Sequence, residues 1–157
     1  MYAIGDKILY PMHGAGIIEG IEEKEILGEK RMYYVLKVSW GEMKLMIPVD
    51  TCDAIGVRPI IMPENIQTVR DVLAAESSVM DNNWNRRYRD NMDKLKTGDV
   101  LQVAEVIRNL MRIERVKKLS AGEKRMLNNA RQILQSEVML AGGMDETSAR
   151  AFVDEAV

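Results

Sequence analysis

The chain has 157 residues, 46% of them hydrophobic, with 22 Lys+Arg against 24 Asp+Glu and a formal net charge of −2. That length suits one domain or two small ones with a real core, and no apolar run approaches the roughly 20 residues of a membrane span. Cys52 is the single cysteine and His13 the single histidine, which excludes an intramolecular disulfide and a Cys/His zinc site, so Cys52 is expected as a small core residue.

Up to about residue 60 the chain reads as short strands between turn signals. Lys7-Ile8-Leu9-Tyr10 stops at Pro11, and Pro11-Met12-His13-Gly14-Ala15-Gly16 is a backbone-driven turn into Ile17-Ile18-Glu19-Gly20-Ile21. After a charged turn with Gly28, Met32 to Val38 is the strongest strand signal, rich in aromatic and branched residues. Trp40-Gly41-Glu42 is expected as a tight connection into Met43 to Pro48, whose alternation predicts one buried and one wet face. Strands so short and closely spaced favour a small antiparallel barrel of the SH3-like kind.

From Pro63 the period becomes helical. Ile66, Val69, Val72 and Leu73 form an apolar stripe that Glu76-Ser77-Ser78 interrupts. A second helix is expected from Asp81 to Asn83, any of which can cap it, to about Lys96. Thr97-Gly98-Asp99 breaks the chain, and Val100, Val103, Ala104, Ile107, Leu110 and Met111 then share one face, with Arg108, Arg112 and Arg115 as a separate basic stripe. Ser120 with Glu123 is a capping box that fixes the start of a further helix, Gly142-Gly143 ends it, and Glu146 to Ala156 is a last short helix. The predicted fold is therefore α+β: a β-barrel domain over 1–61 and a compact all-α domain over 62–157.

Charge is unevenly placed. Residues 1–75 carry 8 Lys+Arg against 11 Asp+Glu, residues 76–135 carry 13 against 8, and residues 136–157 carry 1 against 5. An acidic chain thus holds a basic middle, the footprint of a module that meets phosphates, although charge alone fits solvated helix faces equally well. Within that middle, Asp81-Asn82-Asn83-Trp84-Asn85-Arg86-Arg87-Tyr88-Arg89 sets an indole among three guanidiniums. Arginines neutralise phosphates, an indole stacks on or wedges against a base, and asparagines bond to sugar or base edges. The competing reading is packing, because Trp84, Tyr88, Met92 and Leu95 recur at helical spacing and could form one buried stripe.

Gly5-Asp6 to Tyr10-Pro11, His13-Gly14, Tyr34 to Val38, Pro48, Gly56-Val57-Arg58, Asn83-Trp84 with Arg86-Arg87-Tyr88, and Leu119-Ser120-Ala121-Gly122-Glu123-Lys124-Arg125-Met126-Leu127 together resemble the CarD/CdnL bacterial transcription regulators. The resemblance spans nearly the whole chain, and its last block is the most specific. It implies a Tudor-like N-terminal domain that binds the RNA polymerase beta subunit. It also implies a helical domain that engages promoter DNA at the upstream edge of the opening bubble, largely independently of sequence, and stabilises the open complex. On that footing Trp84 is a minor-groove wedge, with Arg86, Arg87, Arg89 and Lys124 as DNA-contacting residues. The positions corresponding to the family's basic polymerase contacts are Lys24 and Met46. Met46 departs from the basic pattern, and Lys44, on the same sheet face, is the available substitute.

The resemblance further implies a cytoplasmic protein, associated with the nucleoid through polymerase, that needs no cofactor, membrane or small-molecule substrate. No catalytic constellation competes: His13 lacks a nearby cysteine, and Gly14-Ala15-Gly16 lacks the third glycine and the strand-to-helix setting of a dinucleotide loop. Of the twelve methionines several fall at core helical spacings, and most are read as packing residues. Two alternatives remain open at this level: an interaction adaptor that never touches DNA, and a polymerase-binding module of the transcription-repair coupling type.

Overall fold

The computed structural model describes residues 1–40 and 43–157, so the connection expected at Trp40-Gly41-Glu42 lies in part outside the described residues. Strands β1 (Lys7–Tyr10), β2 (Gly14–Ile26), β3 (Glu29–Val38), β4 (Lys44–Pro48) and β5 (Arg58–Pro59) form one antiparallel sheet in the order β4-β3-β2-β1-β5. Helix α1 (Cys52–Ile55) closes the space between β4 and β5 in the chain. Ile8, Ile18, Tyr34, Leu36 and Ile47 from four strands, with Cys52 and Val57, make the core of this unit. β3 is buried continuously from Tyr33 to Leu36, with Tyr34 and Leu36 fully enclosed, and on β4 Ile47 is the buried residue. Burial also pushes the Cys52 thiol above its usual pKa, in keeping with a packing role.

The β2–β3 hairpin extends beyond this core. Its two-residue turn, Leu27-Gly28, has positive φ at both positions, 52° and 81°, the geometry that matches strand twist. A register shift between Ile18 and Gly20 bends β2, so the half running to Ile26 projects into solvent. Among the described residues β4 pairs only with β3, leaving its outer edge without a partner strand.

A 3-10 turn at Pro63–Asn65 leads into α2 (Ile66–Ala74), α3 (Trp84–Lys96), α4 (Val100–Val116), α5 (Ala121–Gly142) and α6 (Glu146–Ala156). Side-chain caps set four starts: Asn83, Asp99, Ser120 and Asp145 each accept a backbone N–H from their own first turn. Gly143, at φ 62°, ends α5 in the left-handed conformation that glycine adopts most readily. Val69, Leu73, Leu95, Ile107, Leu110 and Leu134 lie at the centre of the helical core.

The basic stripe on α4 passes from a buried Arg108 through a half-buried Arg112 to an exposed Arg115. Arg108 is buried and donates to the Val72 carbonyl, Ser78 Oγ and Asn109 Oδ1. Arg112 donates to the Leu73, Ala74 and Ala75 carbonyls and to Ser77 Oγ, and Arg115 reaches the Val157 carbonyl. Arg108 and Arg112 thus satisfy the open carbonyls at the C-terminus of α2 and pin the irregular segment that follows, where the helix dipole favours cations. Desolvation holds the Arg108 guanidinium below its usual pKa.

The sheet and the helices meet where β2 runs against α5. Small residues permit the approach: a Cβ on Gly14 would come within 3.0 Å of Ser136 Oγ. The Ala15 amide donates to Ser136 Oγ at 2.8 Å, and Ser39 Oγ donates to the Ser136 carbonyl at 3.0 Å. Beside this seam lies a clasp. Arg58 donates to both oxygens of Glu137 at 2.6 and 2.9 Å and twice to the Gly98 carbonyl at 2.8 and 3.0 Å, while the Ile61 amide donates to Glu137 at 2.9 Å.

Glu137 is 1% exposed, so removing its partner strands a buried charge. Arg58→Ala is expected to lower unfolding free energy by about 3 to 5 kcal/mol in urea titrations. A loss near 1 kcal/mol would show that the clasp does not hold the halves together.

Candidate nucleic-acid interface

The site is built where two helices begin. Asn83 Oδ1 accepts the Arg86 amide at 3.1 Å and so starts α3 with Trp84 as its first residue. Ser120 Oγ accepts the Glu123 amide at 3.2 Å and starts α5. The two first turns are tied to each other. Trp84 Nε1 donates to Ser120 Oγ at 3.2 Å, and Arg87 donates to both oxygens of Glu123 at 2.9 and 3.0 Å. The Trp84 and Tyr88 rings stack with centroids 5.8 Å apart, and Tyr88 lies over Gly122, where an added Cβ would be 3.5 Å from its ring.

Burial along the α3 stripe bears on the packing reading of Trp84. Leu95 is 1% exposed and Tyr88 and Met92 are half-buried, whereas Trp84 is 46% exposed and stands outside the core. The stripe enters the core as it moves away from the helix start, and the indole is left at the open end. Arg86, Arg89 and Lys124 are exposed and form no ion pair among the described residues. Unpaired amides at both helix starts add positive potential to the same surface.

Arg87 differs from its three neighbours in the expected DNA-contacting set. Its side chain is 13% exposed and its fork is occupied by Glu123, itself 3% exposed, so it braces the two helices rather than facing solvent. Spacing could not reveal this, because the partner lies 36 residues away in sequence. Glu123 is legible as part of a capping box but not as the carboxylate that holds Arg87. Ser120 is legible as a cap but not as the acceptor of the indole N–H.

The residues expected to meet polymerase lie on the sheet. Lys24 is exposed on the projecting half of β2, opposite Arg31. Lys44 and Met46 alternate with the inward Leu45 and Ile47 on edge strand β4 and share its outer face. Lys44 sits 3.1 Å from Glu19, a largely exposed pair worth at most about 1 kcal/mol and easily exchanged for another carboxylate. Met46 is half-buried opposite Val35, which accounts for an apolar residue there.

Two family matches cover the chain: residues 2–61 match the CarD-like/TRCF RID domain, and residues 68–154 match the CarD C-terminal domain. The chain is also 43% identical, over 97% of its length and 99% of the relative's, to the Bacillus subtilis (strain 168) protein named "Putative transcription factor YdeB". None of the helices is long and apolar enough to cross a membrane, among the described residues.

Because Trp84 is outside the core, Trp84→Ala is expected to change unfolding free energy by less than about 1 kcal/mol, against about 3 to 5 for a truncated buried aromatic. Arg87→Ala strands the Glu123 carboxylate and is expected to cost about 3 to 5 kcal/mol in the same urea titration. The reverse ranking would place Trp84 in the core and Arg87 on the surface.

Proposed function

Since the chain belongs to the CarD-like family of transcription factors, we propose that it binds the RNA polymerase beta subunit through residues 1–61 and promoter DNA through residues 62–157, stabilising the open complex without catalysis. The observation that carries this reading is the half-exposed Trp84 at the meeting of two helix starts, with Arg86, Arg89 and Lys124 exposed on the same two helices and without ion pairs among the described residues.

An apolar ring so presented wedges at a disturbed base step in the minor groove. Unstacking there costs a few kcal/mol, and contacts with the distorted duplex offset it. Arg86, Arg89 and Lys124 hold phosphates, and Arg87 keeps the two helix starts in register. On the sheet, the free edge of β4 offers backbone hydrogen bonds to a strand of the beta subunit, and Lys24 and Lys44 supply the cations that meet acidic residues there. The match of residues 68–154 to the CarD C-terminal domain favours this over a module of the transcription-repair coupling type. Work of this kind belongs to the cytoplasm and requires no cofactor.

Binding to DNA without polymerase is expected to be weak, tolerant of sequence and steeply salt-dependent. Charge reversal at Arg86, Arg89 or Lys124 should lower the salt slope by about 0.9 for each phosphate that is no longer neutralised. An unchanged slope in all three variants removes them as phosphate-binding residues. In promoter-opening kinetics with purified bacterial polymerase, Trp84→Ala should shorten the open-complex lifetime while beta-subunit affinity stays at the parent value. A Trp84→Ala protein that prolongs the open complex as well as the parent would end the wedge mechanism.

A further inference from the structure

Trp84 has one polar atom, its indole N–H, and that atom is directed at Ser120 Oγ 3.2 Å away rather than at solvent. The same hydroxyl accepts the Glu123 amide at 3.2 Å and donates to Glu123 Oε1 at 3.2 Å. Glu123 in turn carries Arg87, from the first turn of α3, on both of its oxygens. A closed loop of bonds therefore runs from Trp84 to Ser120, to Glu123, to Arg87 and back along α3 to Trp84. An exposed ring that served only to cover Tyr88 would need no such bond, because water satisfies an indole N–H at no cost.

We infer that Ser120 is a positioning residue that holds the Trp84 indole in the orientation in which it meets DNA, a role separate from its capping of α5. The inference rests on the wedge reading of Trp84. The physical gain is preorganisation. A tryptophan at a helix start has two side-chain torsions, and a ring that must select one setting on binding loses affinity by the entropy of that choice. Stacking on Tyr88 restricts the tilt of the ring, and the bond to Ser120 fixes which edge faces α5. The opposite edge is then the one presented outward.

Two substitutions separate positioning from capping. Glycine is a tolerated N-cap but offers no side-chain oxygen, while threonine both caps and accepts. The full-length protein carrying fluorotryptophan gives two resonances, from Trp40 and Trp84, assigned with Trp84→Phe. In Ser120→Gly the Trp84 resonance should shift and narrow as the ring gains motion, and open-complex lifetime should fall about two- to tenfold, the range expected from freeing one side chain. Melting temperature should stay close to the parent, and Ser120→Thr should restore both signals. If Trp84→Ala shortens the open complex and Ser120→Gly does not, Ser120 is only a cap and this inference is overturned while the wedge stands. If Trp84→Ala has no effect on lifetime, the wedge fails and positioning fails with it.

Discussion

Helix α5 carries a buried glutamate near each end, and each is held by both nitrogens of an arginine fork from a different part of the chain. Glu123 takes Arg87 from α3, and Glu137 takes Arg58 from β5. The two carboxylates are fourteen residues apart, which at 1.5 Å per residue is about 21 Å along the axis. One rigid rod therefore sets the distance between the sheet and the surface around Trp84. The geometry is demanding because neither carboxylate has water to fall back on. Bidentate pairing is the arrangement that compensates for desolvating a charge while fixing its direction.

That rod explains how basic side chains divide their work. Of the thirteen lysines and arginines between residues 76 and 135, Arg87, Lys94, Arg108, Arg112, Arg115 and Arg131 are committed to internal hydrogen bonds or ion pairs. Five of those six are arginines, whose planar fork suits bonding to carbonyls and carboxylates. The lysines Lys96, Lys117, Lys118 and Lys124, with Arg86, Arg89 and Arg125, make no such bond among the described residues. Charge excess read from sequence therefore overstates the uncommitted basic surface at the arginines, whereas among the described residues four of the five lysines in this stretch stay uncommitted.

Most of the architecture is legible in the sequence because its signals are local. Period and caps announce α3, α4, α5 and α6, since Asn83, Asp99, Ser120 and Asp145 act within their own first turns. The four longer strands follow from β-branched and aromatic runs. What escapes is either too short or too distant. Helix α1 has four residues and β5 two, below the length at which any period shows. The Arg58–Glu137 clasp spans 79 positions, and the Trp84–Ser120 bond 36, so neither leaves a trace in spacing. Trp84 shows the same limit from the other side. Its spacing to Tyr88 and Leu95 is that of a core stripe, yet burial falls away toward the helix start and the first member stays outside.

The location of that exposed ring also bears on how the halves cooperate. Under the wedge reading proposed for Trp84, the ring transmits its effect only if its mount does not yield, because a mobile mount lets the duplex restack without leaving the protein. Here the mount is doubly braced: α3 is fixed to α5 by Arg87, and α5 is fixed to the sheet by Arg58 and by the Ser136 seam against Ala15. An anchor on the free edge of β4 would then hold the indole at a fixed offset from polymerase. On that proposal, α5 is the element that couples the sheet to the surface around Trp84.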